Sequence, residues 1–200
     1  MSTDDHDTRA RRYTERLVRL QGAPWKRWLD VQAPYRWNLR RLRPGFTLEV
    51  GCGIGRNLRN LGGHGVGLDH NPHSVEEARR AGFCAFTPGE FLASGLARPQ
   101  AFDSLLLSHV AEHMRREPLL ALLREHLEYV RSGGLLIVQT PQERGFRSDP
   151  THVEFMDLAY LRGVADELGL GRVRDFSFPL PRLFGRVFVY NEFVSVSRKA

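Results

Sequence analysis

Cysteine is scarce in this chain: Cys52 and Cys84 are the two thiols among 200 residues. Two thiols cannot build a disulfide framework or a four-cysteine zinc site, so they read as buried thiols of a reducing compartment. Long apolar runs are missing too. No stretch approaches the roughly 18 residues needed to cross a bilayer, and the polar opening MSTDDHDTRARR has no signal-peptide core. The expectation is a cytoplasmic protein without a membrane span. A Gly-Lys-Ser/Thr sequence is lacking, which excludes a P-loop, and neither internal repeats nor low-complexity segments occur.

The composition that remains, 42% hydrophobic and 26% charged, is that of an ordinary globular domain with one core. The charge is uneven. Residues 1–45 hold 11 Lys and Arg against 5 Asp and Glu, while residues 46–200 hold 18 of each, so the first segment carries the whole formal excess of +6. Such a segment can dock on nucleic acid, on a membrane surface or on an acidic substrate, but a solvated helix face explains it more simply.

Hydrophobic spacing divides the chain at about residue 45. Before it, Tyr13, Leu17 and Leu20 have helical spacing up to Gly22, and Trp25–Leu42 reads as a second helix that Pro34 should kink or split. These two form an N-terminal helical cap, residues 1–45. Trp25, Trp28 and Trp37 read as core packing against the main domain, with substrate lining as the alternative.

From Phe46 to the C-terminus strands and helices alternate. Strands are expected at 46–50, 64–69, 83–86, 102–108, 134–140, 172–178 and 186–197, and helices at 56–61, 72–81, 117–130 and 157–168. Continuous apolar strands separated by amphipathic helices predict an α/β fold. Its seven-stranded, mostly parallel, Rossmann-like sheet is covered on both faces, with the last two strands an antiparallel hairpin. Residues 46–200 make this second unit.

In such a sheet a ligand lies beyond the carboxyl ends of the strands. The first loop there is Glu49-Val-Gly-Cys-Gly-Ile-Gly55, whose glycines permit tight turning and close backbone approach. A dinucleotide fingerprint would need glycine at 56, which is arginine. The next strand ends in Gly67-Leu-Asp69, where a carboxylate can accept both hydroxyls of a ribose or cap the helix after it. Together with Phe102-Asp103 and Ser108-His-Val-Ala-Glu-His113, these motifs resemble the class I S-adenosylmethionine-dependent methyltransferases, and the resemblance covers residues 46–198. It implies that Gly51, Gly53 and Gly55 pass under the methionine part of the cofactor, S-adenosyl-L-methionine. Glu49 orients the ammonium or the loop, and Asp69 binds the ribose. Glu90 and Phe91 contact the adenine, and Ser108 and His109 border the transferable methyl.

A sulfonium methyl is already activated, so the chain must mainly align a nucleophile and exclude water, with a base needed only for a protonated nucleophile. His109, His113 and His152 fall at or beyond the carboxyl ends of expected strands and are the candidate bases, His152 first among them. His152 follows the long polar segment 140–155, where this architecture puts a substrate loop, although it could instead cap the next helix. His109 and His113 have the i, i+4 spacing of a zinc pair, but the sequence places no third ligand, and no metal is expected. The Asp/Asn-Pro-Pro-Tyr motif of amino-group nucleic-acid methyltransferases is absent. The resemblance therefore implies O-methylation of a small-molecule acceptor such as a sugar or another metabolite, without nucleic acid as partner. The alternatives are an RNA or protein methyltransferase that docks through the basic cap, and a noncatalytic regulatory protein that binds the cofactor.

Overall fold

The computed structural model describes residues 30–200. The helix expected around Tyr13 to Leu20 lies outside them, as do Trp25 and Trp28. Helix α1 is Ala33–Arg41, followed by β1 (Thr47–Val50), α2 (Arg56–Asn60), β2 (Gly65–Leu68), α3 (Pro72–Arg80), β3 (Ala85–Phe86) and α4 (Pro88–Ala93). Next come β4 (Phe102–Ser108), a 3-10 turn at Ala111–His113, α5 (Arg116–Leu127), β5 (Val130–Pro141) and α6 (Glu143–Phe146). The chain ends with α7 (Leu158–Glu167), β6 (Gly171–Phe178), a second 3-10 turn at Arg182–Arg186, and β7 (Glu192–Arg198). Among the described residues no helix is long and apolar enough to cross a membrane.

The seven strands form one sheet in the order β3-β2-β1-β4-β5-β7-β6. The first five are mutually parallel, and β7 runs antiparallel to both β5 and β6. Parallel neighbours need crossover helices, which cover both faces, so β1, β2 and the centre of β4 are buried throughout. On one face Leu105, Leu107, Leu136 and Val138 pack with Leu119 and Leu123 of α5 and Leu161 and Val164 of α7. On the other, Leu39 of α1 packs with Leu106, Ile137, Val194 and Val196. A smaller apolar group, Cys52, Leu58, Val75, Ala78 and Ala85, seats α2 and α3 near the β1–β2 edge.

Several sequence expectations are corrected here. Pro34 opens α1 instead of kinking a longer helix, because a proline in the first turn gives up no intrahelical hydrogen bond. Trp37 is 58% exposed, with Arg41 stacked over its ring at 4.5 Å, so its apolar face is covered by a guanidinium instead of the core. Residues 186–191 are not strand: the second 3-10 turn occupies part of that span, and β7 begins only at Glu192. The sequence reading also missed α4, which starts at a capping box in which Thr87 and Glu90 serve each other's backbone N–H.

That helix buries Phe91 to 2% exposure, with its ring edge-on to Tyr129 at 5.2 Å and tilted against Phe102 at 6.3 Å. Removing such a ring leaves a cavity, so Phe91→Ala should cost about 3–5 kcal/mol. Urea unfolding checks this, and a loss below about 1 kcal/mol would mean that the ring is not part of the core.

Candidate active site

Two groups of polar side chains meet at the carboxyl ends of β1, β2, β4 and β5. The first surrounds the loop after β1. Gly51 has φ +76°, and a Cβ there would lie 2.2 Å from Val110 Cγ2, so only glycine lets the loop after β4 settle on the loop after β1. The turn is held from β2: Asp69 accepts the Gly53 N–H through Oδ2 and the Asn71 N–H through Oδ1, both at 2.8 Å. An ionised carboxylate has about four acceptor positions, so each oxygen keeps one for a further donor.

Glu49, at the floor of this loop, is 1% exposed. Its Oε1 accepts from Asn57 Nδ2 at 2.8 Å, and its Oε2 has no partner. Burial pushes its carboxyl up to about 8, against the hydrogen bond from Asn57 and the charge of Arg56, which pull it down. An unanswered buried oxygen beside a glycine turn suits a donor arriving with a ligand. With the two spare acceptor positions of Asp69, it makes the residues present fit an aminoacyl-nucleoside such as S-adenosylmethionine.

The second group centres on Glu112 in the 3-10 turn after β4. Its carbonyl accepts the N–H groups of Val153 (2.7 Å) and Glu154 (3.2 Å). Those bonds bring the long segment after β5 against the turn after β4, and the segment is also held by the Thr140 hydroxyl, which donates to the Met156 carbonyl at 2.8 Å. His152 is thereby placed beside Glu112, with Nε2 3.9 Å from Oε1 and Nδ1 2.7 Å from the Phe146 carbonyl. His113 stands edge-on to His152 with ring centroids 4.9 Å apart, its Nδ1 3.2 Å from both the carbonyl and the hydroxyl of Thr151.

His109 completes the group. It sits at φ +58°, a region that non-glycine residues enter seldom and mostly where surroundings force them. Its Nε2 is 2.8 Å from Glu192 Oε1, and its Nδ1 is 3.3 Å from Glu112 Oε1. Burial opposes its charge, but the carboxylates of Glu192 and Glu112 outweigh that and push the imidazole up to about 9. At neutral pH His109 therefore carries its proton between two acids.

All three candidate histidines thus converge. Ser108, buried at the end of β4, adjoins them in sequence, and Val110 joins them to the glycine loop. Glu90 and Phe91 stand apart. Glu90 bonds Thr87 and pairs with Arg79 at 2.9 Å, and Phe91 is in the core. The sequence reading missed Glu112 and Glu192. The first lay inside a quoted motif as an unassigned acid, whereas the second comes from a strand 83 positions beyond His109 and leaves no local signal.

A family model described as a methyltransferase domain matches residues 9–174, most of the chain. The chain belongs to this family of methyltransferase domains. Solved structures with the same fold include a SAM-dependent methyltransferase from Archaeoglobus fulgidus, 19% identical with a TM-score of 0.68, the match covering 94% of this chain and 99% of that one. Another is magnesium protoporphyrin IX methyltransferase from Synechocystis PCC 6803 with bound SAH, 14% identical with a TM-score of 0.68 and 98% of each chain covered. A third is an S-adenosylmethionine-dependent methyltransferase from Mesorhizobium loti, 14% identical with a TM-score of 0.61, covering 84% of this chain and 99% of that one. A comparison with curated proteins gives no match.

The raised Glu49 carboxyl has a consequence for stability. The folded chain holds this proton up to about 8, whereas the ordinary value is 4.5, so its contribution is greatest below pH 4.5 and is lost as the pH rises through 8. Glu49→Gln, neutral throughout, should gain on the parent between pH 5 and 8 by something on the order of a few kcal/mol. Urea unfolding of both proteins at pH 5, 6.5 and 8 measures it; a difference that does not change with pH would place the Glu49 carboxyl near its ordinary value.

Proposed function

We propose that the chain transfers the methyl group of S-adenosylmethionine to a hydroxyl oxygen of a small-molecule acceptor. The observation that carries this reading is the convergence of Glu112, His109, His113 and His152 beside the glycine loop, to which Val110 attaches them. The cofactor supplies an activated methyl on sulfur. The chain's own part is to bind, align and exclude water.

The role of each residue in that task is our assignment. Gly51, Gly53 and Gly55 give the turn over which the methionine end lies, and Glu49 Oε2 receives the ammonium. Asp69 accepts the ribose hydroxyls through the positions its two backbone bonds leave open. Ser108 and His109 border the methyl, and the positive His109 keeps the two acids around it from repelling each other. The acceptor hydroxyl comes to the Glu112–His113–His152 cluster, which binds its oxygen and relieves it of its proton. Carbon–oxygen bond formation then accompanies cleavage of the carbon–sulfur bond, and the cofactor leaves as the neutral thioether. A hydroxyl needs such help because it is a poor nucleophile while protonated, and a carboxylate acceptor would not need it.

The His109 side chain is 31% exposed and that of His152 only 9%, a narrow opening that supports a hydroxyl carried on a small acceptor. His152→Ala should lower turnover about 10²–10⁴-fold on a hydroxyl acceptor, the size of a lost acid–base group, with affinity for S-adenosylhomocysteine nearly unchanged. The acceptor can be found by following labelled methyl groups into metabolite fractions. Parental turnover in the variant, or label appearing only in carboxylate esters, would overturn the hydroxyl assignment.

A further inference from the structure

Glu112 is completely buried, and neither of its carboxylate oxygens has a hydrogen-bond partner. Hiding a charged group in this way is costly unless another charge answers it. The imidazole of His109 is 3.3 Å from Oε1, but its other nitrogen is already bonded to Glu192, whose own Oε2 is buried and unpartnered. Two buried carboxyl groups thus face one imidazole, and each keeps an oxygen that no side chain satisfies.

Two more imidazoles, those of His113 and His152, stand near Glu112. A carbonyl oxygen only accepts, so the Nδ1 atoms of His152 and His113, 2.7 Å and 3.2 Å from the carbonyls of Phe146 and Thr151, carry the ring hydrogens. With the ring hydrogen on Nδ1, His152 offers Nε2 as a ligand atom on the side of Glu112. The 3.9 Å between His152 Nε2 and Glu112 Oε1 is too long for a hydrogen bond, and it leaves a gap that a shared cation fits. One ligand atom each from Glu112, His113 and His152 lies within 4.8 Å of the others. Two nitrogens and one carboxylate oxygen, with both imidazoles oriented by carbonyls behind them, are a donor set suited to zinc and its neighbours. The Thr151 hydroxyl adds a third layer by joining His113 Nδ1 to Asp149 Oδ1, 3.2 Å and 2.7 Å away.

We propose that Glu112, His113 and His152 form a binding site for one divalent first-row transition ion, of which zinc fits the donors best, with a fourth position open to an oxygen ligand. Ligands on a tetrahedral zinc ion stand roughly 3.2–3.5 Å apart, so the Glu112–His152 pair, 3.9 Å apart, needs to close by only about half an ångström to hold the ion. Of the histidine pair noted in the sequence only His113 is a ligand, and Glu112 and His152 are the other two. Coordination explains why the segment after β5 is bonded to the carbonyl of Glu112 itself. The acceptor hydroxyl was assigned above to these same three side chains; that link to catalysis rests on the proposed function, whereas the binding of the ion does not.

The test is a titration of chelator-dialysed protein with cobalt(II), read by visible absorption and followed by competition with zinc(II). A Cys84→Ser background removes the exposed thiol as a ligand. The expected result is one equivalent of cobalt with bands displaced by one equivalent of zinc. Glu112→Gln and His113→Ala should each weaken cobalt binding by more than about 100-fold, beyond the 10–100-fold that outer-shell changes cost. Both variants must still bind S-adenosylhomocysteine as the parent does, which shows that they fold. Absence of the bands, or bands undiminished in both folded variants, would overturn the site. Turnover on a hydroxyl acceptor that continues in a chelator with no metal bound would overturn the link to catalysis while leaving the proposed function standing. One equivalent bound by these ligands without turnover on any hydroxyl acceptor would support the site and sink the function.

Discussion

A carboxylate without access to water must be answered by its surroundings, and Glu112 imposes that requirement on three separate parts of the chain. Its side chain gathers imidazoles from the turn after β4 and from the segment after β5, and through His109 it reaches Glu192 on β7. Its carbonyl takes two further N–H groups from that segment. Replacing one partner alone would leave a buried charge uncompensated, which costs more than the lost contact. The polar residues beyond the sheet are therefore a coupled set, and the polar loops there are held by bonds they cannot easily exchange for water.

The same economy joins this set to the glycine loop. The link is steric: Val110, flanked by His109 and Ala111, fills the space that a side chain on residue 51 would need. Asp69 fixes the other side of the loop by accepting the Gly53 N–H, so the loop is braced from β2 and capped from β4. A cofactor laid along it would then have its reactive end toward the histidines, and the separation of labour between binding and chemistry follows from which strand each loop leaves.

Much of this was readable in the sequence, and the unread part has physical causes. The seven strands and the parallel order of the first five follow from apolar runs too continuous for a half-exposed sheet. The motif residues Glu49, Gly51 and Asp69 lie within local patterns of a few residues, where backbone demands dictate residue type. What escaped depends on partners distant in the chain. Glu192 meets His109 across the pairing of β7 with β5, and that pairing is encoded by no local spacing. Trp37 looked like core because tryptophan usually is, and only tertiary structure sets Arg41 over its ring. Residues 186–191 carry the apolar, β-branched composition of a strand, yet Asn191 bonds to Gln142 and β7 starts after it. The capping box that opens α4 was legible in Thr87 and Glu90, whereas the burial of Phe91 against Phe102 and Tyr129 depends on partners distant in the chain.

The central claim is that the cofactor lies on the braced loop, directly beside the histidine group. Backbone amide chemical shifts followed during titration with S-adenosylhomocysteine test it most directly. The account predicts saturable changes at Gly51, Gly53, Asn71, His109 and Val110, with the outer strand β6 unmoved. Binding that leaves those five amides unchanged, or no binding at millimolar ligand, would contradict it.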